Sequence, residues 1–328
     1  MIRSMYRPKS GALRVGLDSP QLAAALRDPV GLLWVDFEGE PVEVCEPILA
    51  GVFKFHPLAV DDALTETHVP KLDDWGDYLY IAIHAIGYDA SAENPLTTHE
   101  IDAFLGKNYL VTHHDDPIPA VERTWERCQK DARRVEGGPD HLYYALADEI
   151  VMGYMNSIEA IDEALEDFED AVFERPNPET LAAVFSLKRG LLQLRRIVSP
   201  QREVFNKLAR DDLHVIDRKD RIYFRDVYDH LVRLHDINES MRDQVSGILE
   251  IYLSVINNRM NEIMKTLTII TTLFMPITFL TGFFGMNFFG PTARFDIWTS
   301  WPTFAAMMAV LILTPAAFFL WVRRRAWI

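Results

Sequence analysis

One stretch of the chain repeats oxygen-bearing and apolar side chains at intervals of three or four: Glu250, Ser254, Asn257, Asn261, Met264, Leu267 or Thr268, Thr271, Met275, Thr278 and Gly282. At about 3.6 residues per turn these positions share one helix face. The face is polar at its first end and mixes threonines with Met and Leu farther on. A water-filled pore and simple helix packing, with the hydroxyls bonding back to their own helix, both remain open at the level of residues. A second group, Asp162, Glu163, Glu166, Asp167, Glu169, Asp170 and Glu174, crowds one helix behind Glu159. It reads as a solvated face, the alternative being a reservoir that concentrates cations near a basic carboxyl end. His113-His114-Asp115-Asp116 has metal-ligand residue types, but neighbours on a strand point to opposite faces, so a polar strand end is expected. His230 and His235 are five apart and would not share a helix face, which argues against zinc there. With no glycine-rich phosphate loop and no nucleophile-base pair, no enzyme is expected.

The elements that must position these residues begin with a membrane anchor. Residues 266–293 carry no charge, nor do residues 297–322, and each run exceeds the ~20 residues that cross a bilayer core. Residues 266–328 hold Arg294, Arg323, Arg324 and Arg325 against Asp296, a net of +3, so that of the chain's −15 the first 265 residues carry −18. Such an acidic body excludes nucleic acid as a main partner. The arginine triplet after the second span fixes the carboxyl end in the cytoplasm by the positive-inside rule, and two spans place the amino-terminal body there too. Trp298, Trp301, Trp321 and Trp327 fall where an interfacial aromatic belt would lie. Only Cys45 and Cys128 are present, far apart, which excludes a disulfide scaffold or zinc ribbon. The mixed, basic start of the chain is not expected to be a cleaved signal.

Within the body, 31–37, 77–86, 101–105 and 109–113 read as strands, with Gly106-Lys107-Asn108 turning a hairpin, and 19–25 and 57–64 as helices. Residues 1–135 therefore form a mixed α/β domain, and 136–217 an acidic helical region. One helix is expected over 141–174, ending before Pro176, and another to about Leu208 with a break near Pro200. A third starts near Arg218 as a stalk over 218–265 and continues as the first span, 266–287. An outer link, 288–302, a second span, 303–322, and a basic end, 323–328, complete the chain. A helix of such length needs partners along it, most simply copies of itself around an axis.

At the outer end of the first span stands Gly285-Met286-Asn287. With the two carboxyl-terminal spans, Asn261-Glu262-Ile263-Met264, Phe274-Met275-Pro276-Ile277-Thr278-Phe279, Tyr223-Phe224-Arg225-Asp226-Val227-Tyr228-Asp229-His230 and Gly106-Lys107-Asn108-Tyr109, the chain resembles the CorA family of divalent-cation transport proteins over nearly its whole length.

That resemblance implies a funnel-shaped homopentamer: a cytoplasmic α/β domain, a long stalk that becomes the pore lining, and an outer ring of second spans in the lipid bilayer. It implies transport of Mg²⁺ and Co²⁺, with Ni²⁺ as a further candidate, and no organic cofactor. Gly285, Met286 and Asn287 would form the selectivity filter, offering carbonyl oxygens to an ion that dehydrates reluctantly. Asn261 and Thr278 become polar stations, and Met264, Leu267 and Met275 a hydrophobic constriction. Intracellular Mg²⁺ would close the channel at Asp89, Asp226 and Asp148 between neighbouring domains, Glu93 being an alternative to Asp89, while Glu250 lies at the cytoplasmic pore mouth and Arg323, Arg324 and Arg325 form a basic ring. Two departures stand out: Phe284 replaces the family's usual tyrosine, and the outer link has Asp296 but no glutamate. The related ZntB branch, a proton-coupled zinc transporter, and a non-conducting membrane-anchored cation sensor are the alternatives; Met286 argues against the former, whose members tend to have isoleucine there.

Overall fold

The computed structural model describes residues 1–9, 11–65, 69–89, 92, 95–131, 137–174, 176–285 and 301–324. It divides into two compact units, Met1–Tyr252 and Leu253–Ile328.

The first unit is built on a seven-stranded sheet of order β2-β1-β3-β7-β6-β5-β4. Its strands are β1 (Ile2–Arg7), β2 (Arg14–Val15), β3 (Leu32–Glu38), β4 (Lys71–Asp74), β5 (Tyr78–Tyr88), β6 (Leu96–Gly106) and β7 (Tyr109–His114). Only the β3–β7 pair is parallel among the pairings described. The four expected strands form, and the β6–β7 hairpin closes with Leu105 opposite Leu110. A Cβ on Gly106 would lie 2.3 Å from the Tyr109 ring, so the turn depends on glycine there. Strands β1, β2 and β4 were not expected; they are short or carry charged residues, and only pairing with a neighbour makes them strands.

Three short helices, α1 (Ser19–Leu26), α2 (Val42–Glu46) and α3 (Pro57–Leu64), with a π-helical turn over Pro47–Val52, accompany the sheet. Their buried Leu22, Cys45, Leu49, Ala59 and Ala63 join Val35, Tyr80, Phe104 and Val111 of the strands in one apolar core. Phe55 stacks on Phe104 at 4.1 Å within it. The opposite pleat of the sheet carries Trp34, which meets Trp125 of α4 (Pro119–Lys130) at 4.8 Å.

Helix α5 (Pro139–Glu174) buries Leu142, Leu146, Ile150 and Tyr143, Ala147, Val151, Tyr154 at helical spacing. Helix α6 (Pro178–Arg210) starts at a cap in which the Asn177 side chain accepts from Thr180 N–H. The expected break at Pro200 does not occur, and α6 runs through it. A proline frees only the carbonyl four residues back, here that of the exposed Arg196, which water can satisfy. Helix α7 (Arg221–Gly285) spans 65 residues with Pro276 inside, and α8 (Trp301–Arg324) spans 24.

In the second unit the α7 segment and α8 are long and apolar enough to cross a membrane, and their apolar windows are unburied. Phe274, Met275 and Phe279 of α7 and Ile312, Leu313 and Leu320 of α8 stand half or more exposed on the single chain. Apolar surface so distributed requires lipid or further helices to cover it.

Candidate ion path and cytoplasmic metal site

The polar face read from the sequence lies on α7. Asn261, Met264, Leu267, Thr271, Met275 and Thr278 are all exposed on the isolated chain. Each threonine of the face gives its hydroxyl proton to the carbonyl four residues back: Thr268 to Met264 at 2.7 Å, Thr271 to Leu267 at 2.8 Å and Thr278 to Phe274 at 2.9 Å. Their outward oxygens are therefore left with lone pairs only. Waters around a cation point their hydrogens outward, so this is the polarity a hydrated cation needs. Thr266, Thr272 and Thr281, off that face, bond back in the same way, so the back-bond itself is a general answer to a hydroxyl in an apolar helix. Pro276 supplies no N–H to the Thr272 carbonyl. Gly285 is the last described residue of α7; Met286, Asn287, Glu93, the outer link 288–300 with Asp296, and Arg325 lie outside the described residues, while Arg323 and Arg324 close α8.

In the first unit, aromatic rings fix α5 against α7. Tyr144 stacks on Tyr223 at 4.9 Å, and Phe224 meets both Tyr143 and Tyr144, at 6.2 and 6.4 Å. One helical turn beyond these rings, Asp148 of α5 faces Asp226 of α7, and His230 follows Asp226 by four residues. One ligand atom from each of Asp148, Asp226 and His230 lies within 4.8 Å of the others. Burial chiefly pushes the Asp148 carboxyl above its ordinary value, His230 opposes this, and the charges of Asp226 and Glu149 add to it. Glu149 is itself engaged by Arg123 at 2.5 Å and by Arg127. His230 Nδ1 is sealed from solvent and makes no hydrogen bond.

Thus the chain brings Asp148 and Asp226 together within one subunit. Asp89 lies elsewhere, in the loop after β5, its N–H bonded to the Pro95 carbonyl at 2.8 Å, and is not part of that group. His230, which the sequence reading leaves out of the site, stands four residues from Asp226 on the same helix. Glu250 is exposed on α7, and the acidic residues of α5 from Glu159 to Glu174 are exposed as expected.

A second carboxylate group, Asp140, Asp217 and Asp220, gathers at the start of α5 and just before α7. Protein groups already answer it: Asp140 accepts from Asp217 N–H at 2.9 Å, and Lys219 pairs with Asp217 at 3.3 Å.

The His113-His114 pair is not a polar strand end. Both rings are buried, 4% and 1% exposed, on opposite faces of β7. His114 Nε2 stands 3.3 Å from Asp36, whose fully buried carboxylate also accepts from Arg3 Nε at 2.8 Å and from the Thr112 hydroxyl. Burial opposes its ionisation, but the nearby His114, the Thr112 hydroxyl and Arg3 outweigh it and hold the Asp36 carboxyl below the usual range. His113 faces Asp102 at 3.8 Å, and Tyr80 donates to Asp102 at 2.6 Å. These are structural charge pairs that cross the sheet. Alternation along β7 predicted the opposite faces; only the covering helices made both faces dry.

The sequence profile of the family described as CorA-like Mg²⁺ transporter protein matches residues 30–324. The cobalt/magnesium transport protein CorA of Thermotoga maritima is 33% identical over 305 residues, covering 92% of this chain and 85% of that one. The zinc transport protein ZntB of Yersinia pestis is 26% identical over 274 residues, 83% of this chain and 81% of that one. The complete structure of the CorA magnesium transporter from Methanocaldococcus jannaschii superposes with a TM-score of 0.84 at 25% identity, covering 99% of this chain and 98% of that one.

Proposed function

Because the chain belongs to the CorA-like Mg²⁺ transporter family, whose members move divalent cations across membranes, we propose that it is a Mg²⁺ channel that also passes Co²⁺ and Ni²⁺ into the cytoplasm. It works as a homopentamer in the bilayer, both termini cytoplasmic, with five copies of α7 around the ion path. The observation that carries this reading is the α7 face. Its threonine oxygens present lone pairs alone, spaced along a helix that offers no carboxylate between Glu262 and its end at Gly285. A fixed carboxylate would strip waters and trap the ion, whereas neutral acceptors let a hydrated one pass.

In this mechanism Asn287 and the Gly285 carbonyl receive the hydrated ion at the outer mouth, with Met286 between them. Thr278 and Asn261 hand it inward, and Met264, Leu267 and Met275 close the path by excluding water when the five helices approach. Glu250 lies at the cytoplasmic exit, and Arg323, Arg324 and Arg325 form a basic ring. Cytoplasmic Mg²⁺ bound at Asp148 and Asp226, with Asp89 from a neighbouring copy, favours the closed arrangement, and its loss leaves like charges to push the domains apart. The membrane potential, ~2.3 kcal/mol per charge per 100 mV, drives inward flux without a proton gradient.

Uptake of Mg²⁺, Co²⁺ and Zn²⁺ into liposomes holding the purified protein, with and without a pH gradient, tests the proposal. Mg²⁺ entry indifferent to the pH gradient and abolished by Asn287→Ala is the expected result. Zinc entry driven by protons would replace it with the ZntB-like reading, and absence of any flux with the sensor reading.

A further inference from the structure

Resting on the regulatory reading above, we propose that His230 makes the Asp148–Asp226 site a sensor of Co²⁺, Ni²⁺ and Zn²⁺, occupied by these ions at far lower concentration than by Mg²⁺. The chemistry of the three ligands divides the ions. Mg²⁺ is a hard cation that takes oxygen and keeps several waters, so two carboxylates satisfy it and an imidazole adds little. Co²⁺, Ni²⁺ and Zn²⁺ bind neutral imidazole directly at about 2.0–2.1 Å, and prefer a site in which nitrogen replaces a water.

Geometry permits this third ligand. Two ligands of one ion, each about 2.1 Å from it, can stand no more than about 4.2 Å apart. The ligand atoms of Asp148, Asp226 and His230 already lie within 4.8 Å of one another, so small side-chain rotations bring all three to one centre. Asp226 and His230 are four apart on α7 and move as one rigid edge. One nitrogen of the ring, His230 Nδ1, is buried and makes no hydrogen bond. The neighbouring Glu149 is held by Arg123 and Arg127 and does not compete for the centre. A metal ion binds the deprotonated ring nitrogen, so this chain supplies two carboxylate oxygens and one imidazole nitrogen to the centre.

The consequence is protective. A path built from neutral oxygens discriminates poorly between hydrated Mg²⁺ and hydrated Co²⁺ or Ni²⁺, since it sees mainly their waters. A cytoplasmic site with a nitrogen ligand would close the channel when transition metals accumulate, well before they reach the concentration at which Mg²⁺ acts.

The test titrates the full-length protein with each metal salt alone, reading binding by calorimetry and inhibition by liposome flux. His230→Gln should raise the Co²⁺ and Ni²⁺ concentrations for half-occupancy and half-inhibition at least tenfold, and leave those for Mg²⁺ within about twofold, since even outer-shell changes cost 10–100-fold in metal affinity. Unchanged Co²⁺ and Ni²⁺ affinities would overturn the proposal, and an equal loss for all three ions would make His230 a structural residue only. Asp226→Asn separates the underlying reading: if Mg²⁺ inhibition survives it, the regulatory site itself is wrong. X-ray absorption at the cobalt edge of the Co²⁺-loaded wild type needs no variant. Outer-shell scattering from an imidazole ring supports the proposal, and an all-oxygen shell refutes it.

Discussion

Replacing Asp226 by Asn should change thermal stability in opposite directions with and without metal. In the metal-free protein the carboxylates of Asp148 and Asp226 stand within 4.8 Å of each other. Asp226 is exposed, so a water-like dielectric applies, and at that separation two unit charges repel by about 1 kcal/mol. Removing one of them should therefore raise the metal-free melting temperature of the soluble unit by about 2–4 °C. With Mg²⁺ at a hundred times its dissociation constant, the wild type gains about 2.7 kcal/mol by linkage, or about 5–11 °C, whereas the variant has lost the charge that holds the ion and gains little. Differential scanning fluorimetry of the detergent-solubilised protein, in chelator and then across a Mg²⁺ series, reads both effects. A variant that melts lower than wild type in chelator, or that keeps the full Mg²⁺ increment, would show that Asp226 is a structural partner and not a ligand.

Three further outcomes follow from the charge pairs and the hairpin. Arg3→Met should destabilise the soluble unit by about 3–5 kcal/mol in urea unfolding, because it leaves the buried Asp36 carboxylate without its guanidinium partner. Burial raises the Asp102 carboxyl to about 6, and the nearby Asp102 and Cys45 raise His113 to about 9 against its own burial. Both folded values exceed the unfolded ones, so their contribution to stability is complete at low pH; it is lost as pH rises from about 4 through 6 for Asp102 and from about 6.5 through 9 for His113. Asp102→Asn should flatten the first limb in melting curves taken across pH, and an unchanged profile would contradict the assignment. Gly106→Ala forces a methyl within 2.3 Å of the Tyr109 ring; a cost of about 1–3 kcal/mol is expected in the same urea assay.

Much of the architecture could be read from the chain. Uncharged runs longer than a bilayer is thick announce two spans, because no other environment tolerates them so cheaply. The hairpin at Gly106-Lys107-Asn108 and the stop at Pro176 follow from local backbone rules, which need no tertiary context, whereas β6 starts at Leu96, five residues before the expected 101. The resemblance carried by Tyr223-Phe224-Arg225-Asp226 singles out Asp226 as a candidate, and spacing alone singles out the polar face of α7. Other features had no local signature. Pro200 looks like a break in sequence, yet α6 continues through it, because packing on both sides of the proline outweighs one lost hydrogen bond.

The fates of the histidines show where sequence reading ends. His113 and His114 carry the same residue types whether they face water or core, and only the helices over both faces of the sheet make them buried partners of Asp102 and Asp36. The i, i+4 relation of Asp226 and His230 is written in the chain. That Asp148, far away in sequence on α5, completes their cluster is decided by the ring contacts of Tyr143 and Tyr144 with Tyr223 and Phe224. Periodicity fixes what lies on one helix, because it is a property of consecutive residues; which faces of different helices meet depends on packing between distant segments, and that only the tertiary structure supplies.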